Sequence, residues 1–150
     1  MATTTSIHST AAASAASESN VVHQSYLLLK VLFTAVPIVA GLDKFTGLLA
    51  DWDTYLNPLV LNLVPVSAGT FMVLVGIIEI VAGILVFFRP RIGGFVVMAW
   101  LIAIALQLLV WGRFLDIAVR DIVIALSGPL LLARLASFEE GTSDVTKHAA

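Results

Sequence analysis

Four apolar runs fill the middle of this chain, and polar residues collect at their joints. The first extends from about Tyr26 to Leu42, the second from Val66 to Phe88, the third from Ile92 to Trp111 and the fourth from about Ile117 to Ala136. Crossing the hydrocarbon of a bilayer takes about 20 helical residues at about 1.5 Å each. The second and third runs meet that length outright. The first and fourth are marginal and reach it by tilting or by taking in their polar ends. Lipid gives backbone groups no water to bond with, so helices are predicted. Sustained period-two alternation is absent, and a membrane barrel needs roughly eight or more strands. The expected fold class is all-α, a four-helix transmembrane bundle with a short interfacial helix between the first and second spans.

Proline and glycine punctuate these runs. Pro65 is placed to open the second helix. Pro90 stops it and forces a short turn through Arg89-Pro90-Arg91 into Ile92 and Gly93, making the second and third helices antiparallel neighbours. Pro37 and the Ser127-Gly128-Pro129 step lie inside apolar runs and predict a kink or local unwinding. The longest link, Asp43 to Val64, carries DWDTYLNP at 51–58. Leu48, Leu49, Leu56 and Leu59 give it an apolar side, which fits a surface-lying helix or re-entrant cap. Trp52 and Tyr55 are expected interfacial anchors there, with Trp111 as a third at the end of the third run.

Composition agrees: 59% of the 150 residues are hydrophobic and 12% charged, a membrane-like balance. The expected divisions are an Ala/Ser/Thr-rich disordered tail over 1–24, a four-helix transmembrane domain over 25–137 and a flexible polar tail over 138–150. No positive charge precedes Lys30, which argues against a secretory signal. Arg89 and Arg91 face no acid in their turn, and Arg134 closes the fourth run on the same side. The link from Asp43 to Val64 carries Lys44 against Asp43, Asp51 and Asp53. The positive-inside rule then places both termini and the arginine turn in the cytoplasm.

Glu79 is the most informative residue. It stands alone in the 23 otherwise uncharged residues from Val66 to Phe88, close to mid-membrane. A carboxylate there needs a partner or a proton. Gly76, Glu79 and Gly83 share a helix face, with Gly69 seven residues before Gly76, so the acid is expected to face protein across a small-residue packing stripe. Neutral, Glu79 would donate to a backbone carbonyl or a quinone-like oxygen; ionised, it needs a cation. Lys30 is weighed as that cation, against snorkelling to the headgroups. Gln107, on a face with Trp100, Ile104 and Trp111, wants a protein partner for its amide. Asp116 and Arg120 stand four apart and can pair along one face, and they gather with Lys44 at the outer end. Glu79, Gln107, Lys44, Asp116 and Arg120 are thus the candidate ligand or proton-site residues, and no catalytic residue is legible.

Several chemistries fall away. Cysteine is absent, and His8, His23 and His148 lie in or beside the tails, so neither paired haem ligation nor a metal site is expected. No basic stripe fits a nucleic-acid backbone.

Three pieces in order, GLDKFTGLL at 41–49, GIIEIVAGILVFFRPRIGG at 76–94 and FLDIAVRD at 114–121, resemble the DoxX-like family of small four-helix membrane proteins. The resemblance covers roughly Leu27 to Leu135. It implies an accessory subunit of the bacterial or archaeal plasma membrane, in a family with members linked to thiosulfate:quinone oxidoreduction and redox-stress complexes. It would carry over Lys44, Glu79 and Arg120, with no settled catalytic role for them. The expected function is an accessory integral membrane subunit that anchors or stabilises a larger complex, with other membrane subunits and lipids as partners. It would have no covalent cofactor and a site open to quinone or lipid. The alternatives are a quinone-linked oxidoreductase subunit and an oligomeric small-molecule transporter; whether it is an enzyme is left open.

Overall fold

The computed structural model describes residues 2–64 and 66–148. Within them all regular secondary structure is helical. Six α-helices run in the order α1 Ala2–Thr46, α2 Pro58–Leu63, α3 Ala68–Phe88, α4 Pro90–Trp111, α5 Leu115–Ser127 and α6 Pro129–His148, with a 3₁₀ turn at Trp52–Tyr55. Among the described residues, three helical stretches are long and apolar enough to cross a membrane: Ser17–Thr46, Ala68–Phe88 and Pro90–Trp111. The protein is therefore a multi-span helical membrane protein. The fourth run divides at Pro129 into α5 and α6, as its Ser-Gly-Pro step predicts. Pro129 takes the first position of α6, where its missing N–H costs no bond. Pro37 lies within one continuous α1. Pro65, the expected opener of the second long helix, lies outside the described residues. Ser67 caps that helix instead, its side chain accepting from the Thr70 N–H.

The helical backbone of α1 continues back to Ala2 through the segment expected to be a disordered tail, and that of α6 runs to His148. Alanine loses no side-chain entropy on entering a helix, which favours this at the N-terminal end.

α1 lies along α3, antiparallel to it, and α4 packs against α3, α5 and α6. Glycines set the close approaches. A Cβ on Gly83 would meet the Thr34 carbonyl oxygen of α1 at 2.7 Å. In the α3–α4 hairpin, a Cβ on Gly93 would meet the Val86 backbone at 2.5 Å, and one on Gly94 the Pro129 carbonyl oxygen of α6 at 2.7 Å. Two apolar clusters follow: Ala82, Val86, Val97 and Leu132 between α3, α4 and α6, and Ala105, Leu108 and Ala118 between α4 and α5. The outer faces keep large apolar side chains exposed, among them Val31, Val81, Phe88 and Val110, as lipid contact requires.

Candidate functional site

The Asp43–Val64 link and the α1–α3 crossing build the site together. At the crossing, Gly41 of α1 and Gly76 of α3 bring the two backbones into contact. Helical side chains lean toward their own N-terminus. In this antiparallel pair, Lys44 therefore leans back along α1 while Glu79 leans along α3 to meet it. The Lys44 Nζ donates to Glu79 Oε2 at 2.6 Å. The side chains of the pair keep only 4% and 10% exposure. From α4, Trp100 Nε1 donates a longer bond to Glu79 Oε1, at 3.4 Å. Three helices thus enclose the pair in protein.

Trp52 covers it. Lys44 Nζ lies 3.7 Å from the centroid of the Trp52 ring, a close cation–π contact. The indole Nε1 donates to Asp43 Oδ2 at 2.7 Å. The same buried carboxylate accepts from the backbone N–H groups of Leu48 and Leu49 and from Thr46 Oγ1, at 2.9 to 3.1 Å. Asp43 therefore ties down the chain as it leaves α1, where Gly47 turns left-handed at φ 61°. Trp52 was expected to be an interfacial anchor; its polar edge and its ring are both engaged within the protein.

Gln107 holds the other half of the link. Its Nε2 donates to the Tyr55 carbonyl at 2.9 Å and its Oε1 accepts from the Asn57 N–H at 3.2 Å. Asn57 Nδ2 returns a bond to the Gln107 carbonyl at 3.2 Å, while Asn57 Oδ1 caps α2 through the Leu59 N–H. The Tyr55 ring packs on Phe114 at 4.9 Å, and Phe114 packs on Trp111 at 5.8 Å. Phe114 itself sits in the left-handed region, at φ 54°.

The other candidates fall elsewhere. Lys30 lies over the Phe87 ring at 5.4 Å, near the arginine end of the bundle, and Lys44 takes the place weighed for it beside Glu79. Asp116 and Arg120 are exposed on α5; Arg120 Nε turns to its buried neighbour Asp121 at 3.4 Å in place of the expected i,i+4 pairing. Gly76 and Gly83 face α1, whereas a Cβ on Gly69 would meet nothing within 4 Å. Gly69 instead borders a cleft of about 320 Å³ with Lys44, Gly47, Asp51, Trp52 and Met72. Asp43 and Asn57 carry structural roles that the sequence did not mark. Asp43 registered only as one charge of a polar link, and the partner of Gln107 was a backbone 50 residues away.

No protein-family model, no curated protein and no solved structure matches this chain. Among the described residues, no group of three His, Cys, Asp or Glu could hold a metal ion. The cleft offers one cation matched by one carboxylate, an indole ring, and the carboxylates of Asp51 and Asp53. Lys44 Nζ makes one hydrogen bond within the protein and has further N–H donors. The cleft thus sets an N–H donor and an indole ring side by side.

Proposed function

We propose that this chain is an accessory subunit of a plasma membrane complex, and that the Lys44 cleft receives the uncharged head of an amphiphile, a quinone or a lipid carbonyl. The observation that carries this reading is the Lys44–Glu79 ion pair, closed by Trp52 and open to a cleft at the end of two spans. Burying an ion pair costs solvation that apolar residues would not lose, so its retention within the membrane fits a use beyond packing. The charge balance supports an uncharged head. Glu79 matches Lys44, and Asp51 and Asp53 leave the mouth net negative, which disfavours an anionic phosphate. The resemblance to the DoxX-like family belongs to this reading, as does the fourth span, formed by α5 and the first turns of α6. So does the orientation, with both termini and Arg89 and Arg91 in the cytoplasm.

The test is purification of the full chain from its native membrane in mild detergent, followed by titration with decylubiquinone. A stoichiometric protein partner is expected, with probe binding that Lys44→Met weakens at least tenfold while the partner is retained. A chain that runs alone, with wild type and K44M binding the probe equally, would overturn the proposal.

A further inference from the structure

The link from Gly47 to Asn57 crosses the bundle as a strap moored at both ends, by Asp43 and by Gln107. At the far end, Gln107 exchanges bonds with Tyr55 and Asn57 in a buried setting, and Asn57 and Leu56 keep 2% and 6% exposure. At the near end, Trp52 is half-buried, and its indole is held by one hydrogen bond, Nε1 to Asp43. Between Gly47 and Trp52 the backbone is pinned, with the Leu48 and Leu49 N–H groups donating to the Asp43 carboxylate, while the side chains there pack little. Leu48 and Leu49 are exposed, and Gly47 is left-handed with nothing within 4 Å of the space a Cβ would fill. The cleft lies against this half and is bordered by Trp52 itself.

We infer that the Trp52 side chain is a lid over the Lys44–Glu79 pair, latched by Asp43, and that it rotates aside about its own Cα–Cβ bond to admit a ligand to Lys44. The inference rests on the proposed ligand reading only for what enters. The lid follows from the light hold on the indole within a backbone that stays moored. Closed, the indole ring covers the Lys44 ammonium and shields the ion pair from water and lipid headgroups. Open, it breaks a single hydrogen bond and one cation–π contact, while the bonds of Asp43 to Leu48 and Leu49 and those of Gln107 to Tyr55 and Asn57 keep the strap on the bundle. An oxygen acceptor entering the cleft meets the Lys44 N–H groups, and the indole can close against a flat ring. Asp43 is in this account a positioning residue. It does not touch the ligand and acts through Trp52.

Lysine footprinting tests the lid. The chain has three lysines, Lys30, Lys44 and Lys147, so acetylation at each is resolved by peptide mass. The full chain, in nanodiscs of phosphatidylcholine, is treated with a water-soluble acetylating reagent. Wild-type Lys44 is expected to react slowly. Trp52→Ala, which removes the lid and leaves the backbone bonds of Asp43 in place, should speed Lys44 acetylation at least fivefold with little change at Lys30. Asp43→Asn, which weakens the latch, should do the same to a smaller degree, and Trp52→Phe should fall between wild type and W52A. Lys44 rates unchanged in both W52A and W52F would overturn the lid. So would a rise at Lys44 matched at Lys30, which would report general loosening. Titration with decylubiquinone separates the two proposals. Faster Lys44 labelling in W52A without any probe binding in wild type keeps the lid and removes the ligand reading. Probe binding with Lys44 labelling insensitive to W52A keeps the ligand reading and removes the lid.

Discussion

Gly41 and Gly76 touch backbone to backbone. A Cβ on Gly41 would come within 2.6 Å of the Gly76 carbonyl oxygen, and one on Gly76 within 2.7 Å of the Gly41 carbonyl oxygen. This crossing lets Lys44 reach a carboxylate about 16 Å up α3 from Ala68, eleven residues at about 1.5 Å each. Gly41→Ala and Gly76→Ala should each lower stability by ~1–3 kcal/mol, the cost of overpacking a tight contact. Gly69→Ala is the control. Its Cβ meets nothing, and alanine gains up to about 1 kcal/mol of helix propensity over glycine. Unfolding in mixed micelles reads all three. Equal stability of G76A and G69A would mean that the helices do not cross there.

Gln107→Leu keeps the bulk of the side chain and removes its bonds to Tyr55 and Asn57. An orphaned buried donor or acceptor costs about 1–3 kcal/mol. The strap should then be cut faster by added protease between residues 47 and 57, while the helices stay protected. A cleavage pattern identical to wild type would show that Gln107 does not moor the strap.

Gly128 sits under the Phe33 ring of α1, where any Cβ would collide with the ring. Gly128→Ala should destabilise by ~1–3 kcal/mol, and Phe33→Leu should recover part of the loss in the double variant. Additive losses would place Phe33 elsewhere.

The arginine turn and the strap lie at opposite ends of the bundle, and the cysteine-free chain makes labelling simple. A cysteine at position 90 should react only from the cytoplasmic side of sealed vesicles, and one at position 53 only from outside. The reverse pattern would invert the proposed orientation.

The apolar runs foretold the three long helices because length and hydropathy are local properties. The isolation of Glu79 in its run likewise marked it as needing a partner. Which partner was not legible in the same way. Lys30, within an apolar run, was the cation weighed for it, while Lys44 was grouped with Asp116 and Arg120 at the outer end. The N-terminal lean of helical side chains was the available signal, since in an antiparallel pair it brings Lys44 and Glu79 toward each other. Gln107 showed a need without showing its answer, because its partners are the backbone of Tyr55 and Asn57, fixed only by tertiary packing. Asp116 and Arg120 had the right spacing for a pair, but spacing did not reveal that the buried Asp121 beside Arg120 would take its guanidinium.

The central claim is that Lys44 and Glu79 act as one buried unit, and a double-mutant cycle tests it most directly. Lys44→Met and Glu79→Gln, singly and together, are compared by unfolding in mixed micelles. Removing one partner strands a group chosen to match a charge, so each single variant should lose about 3 kcal/mol or more, and the double variant should lose less than the two combined. A coupling of about 1–3 kcal/mol is predicted. Losses that simply add would mean the two side chains do not meet, and the site proposed around them would be wrong.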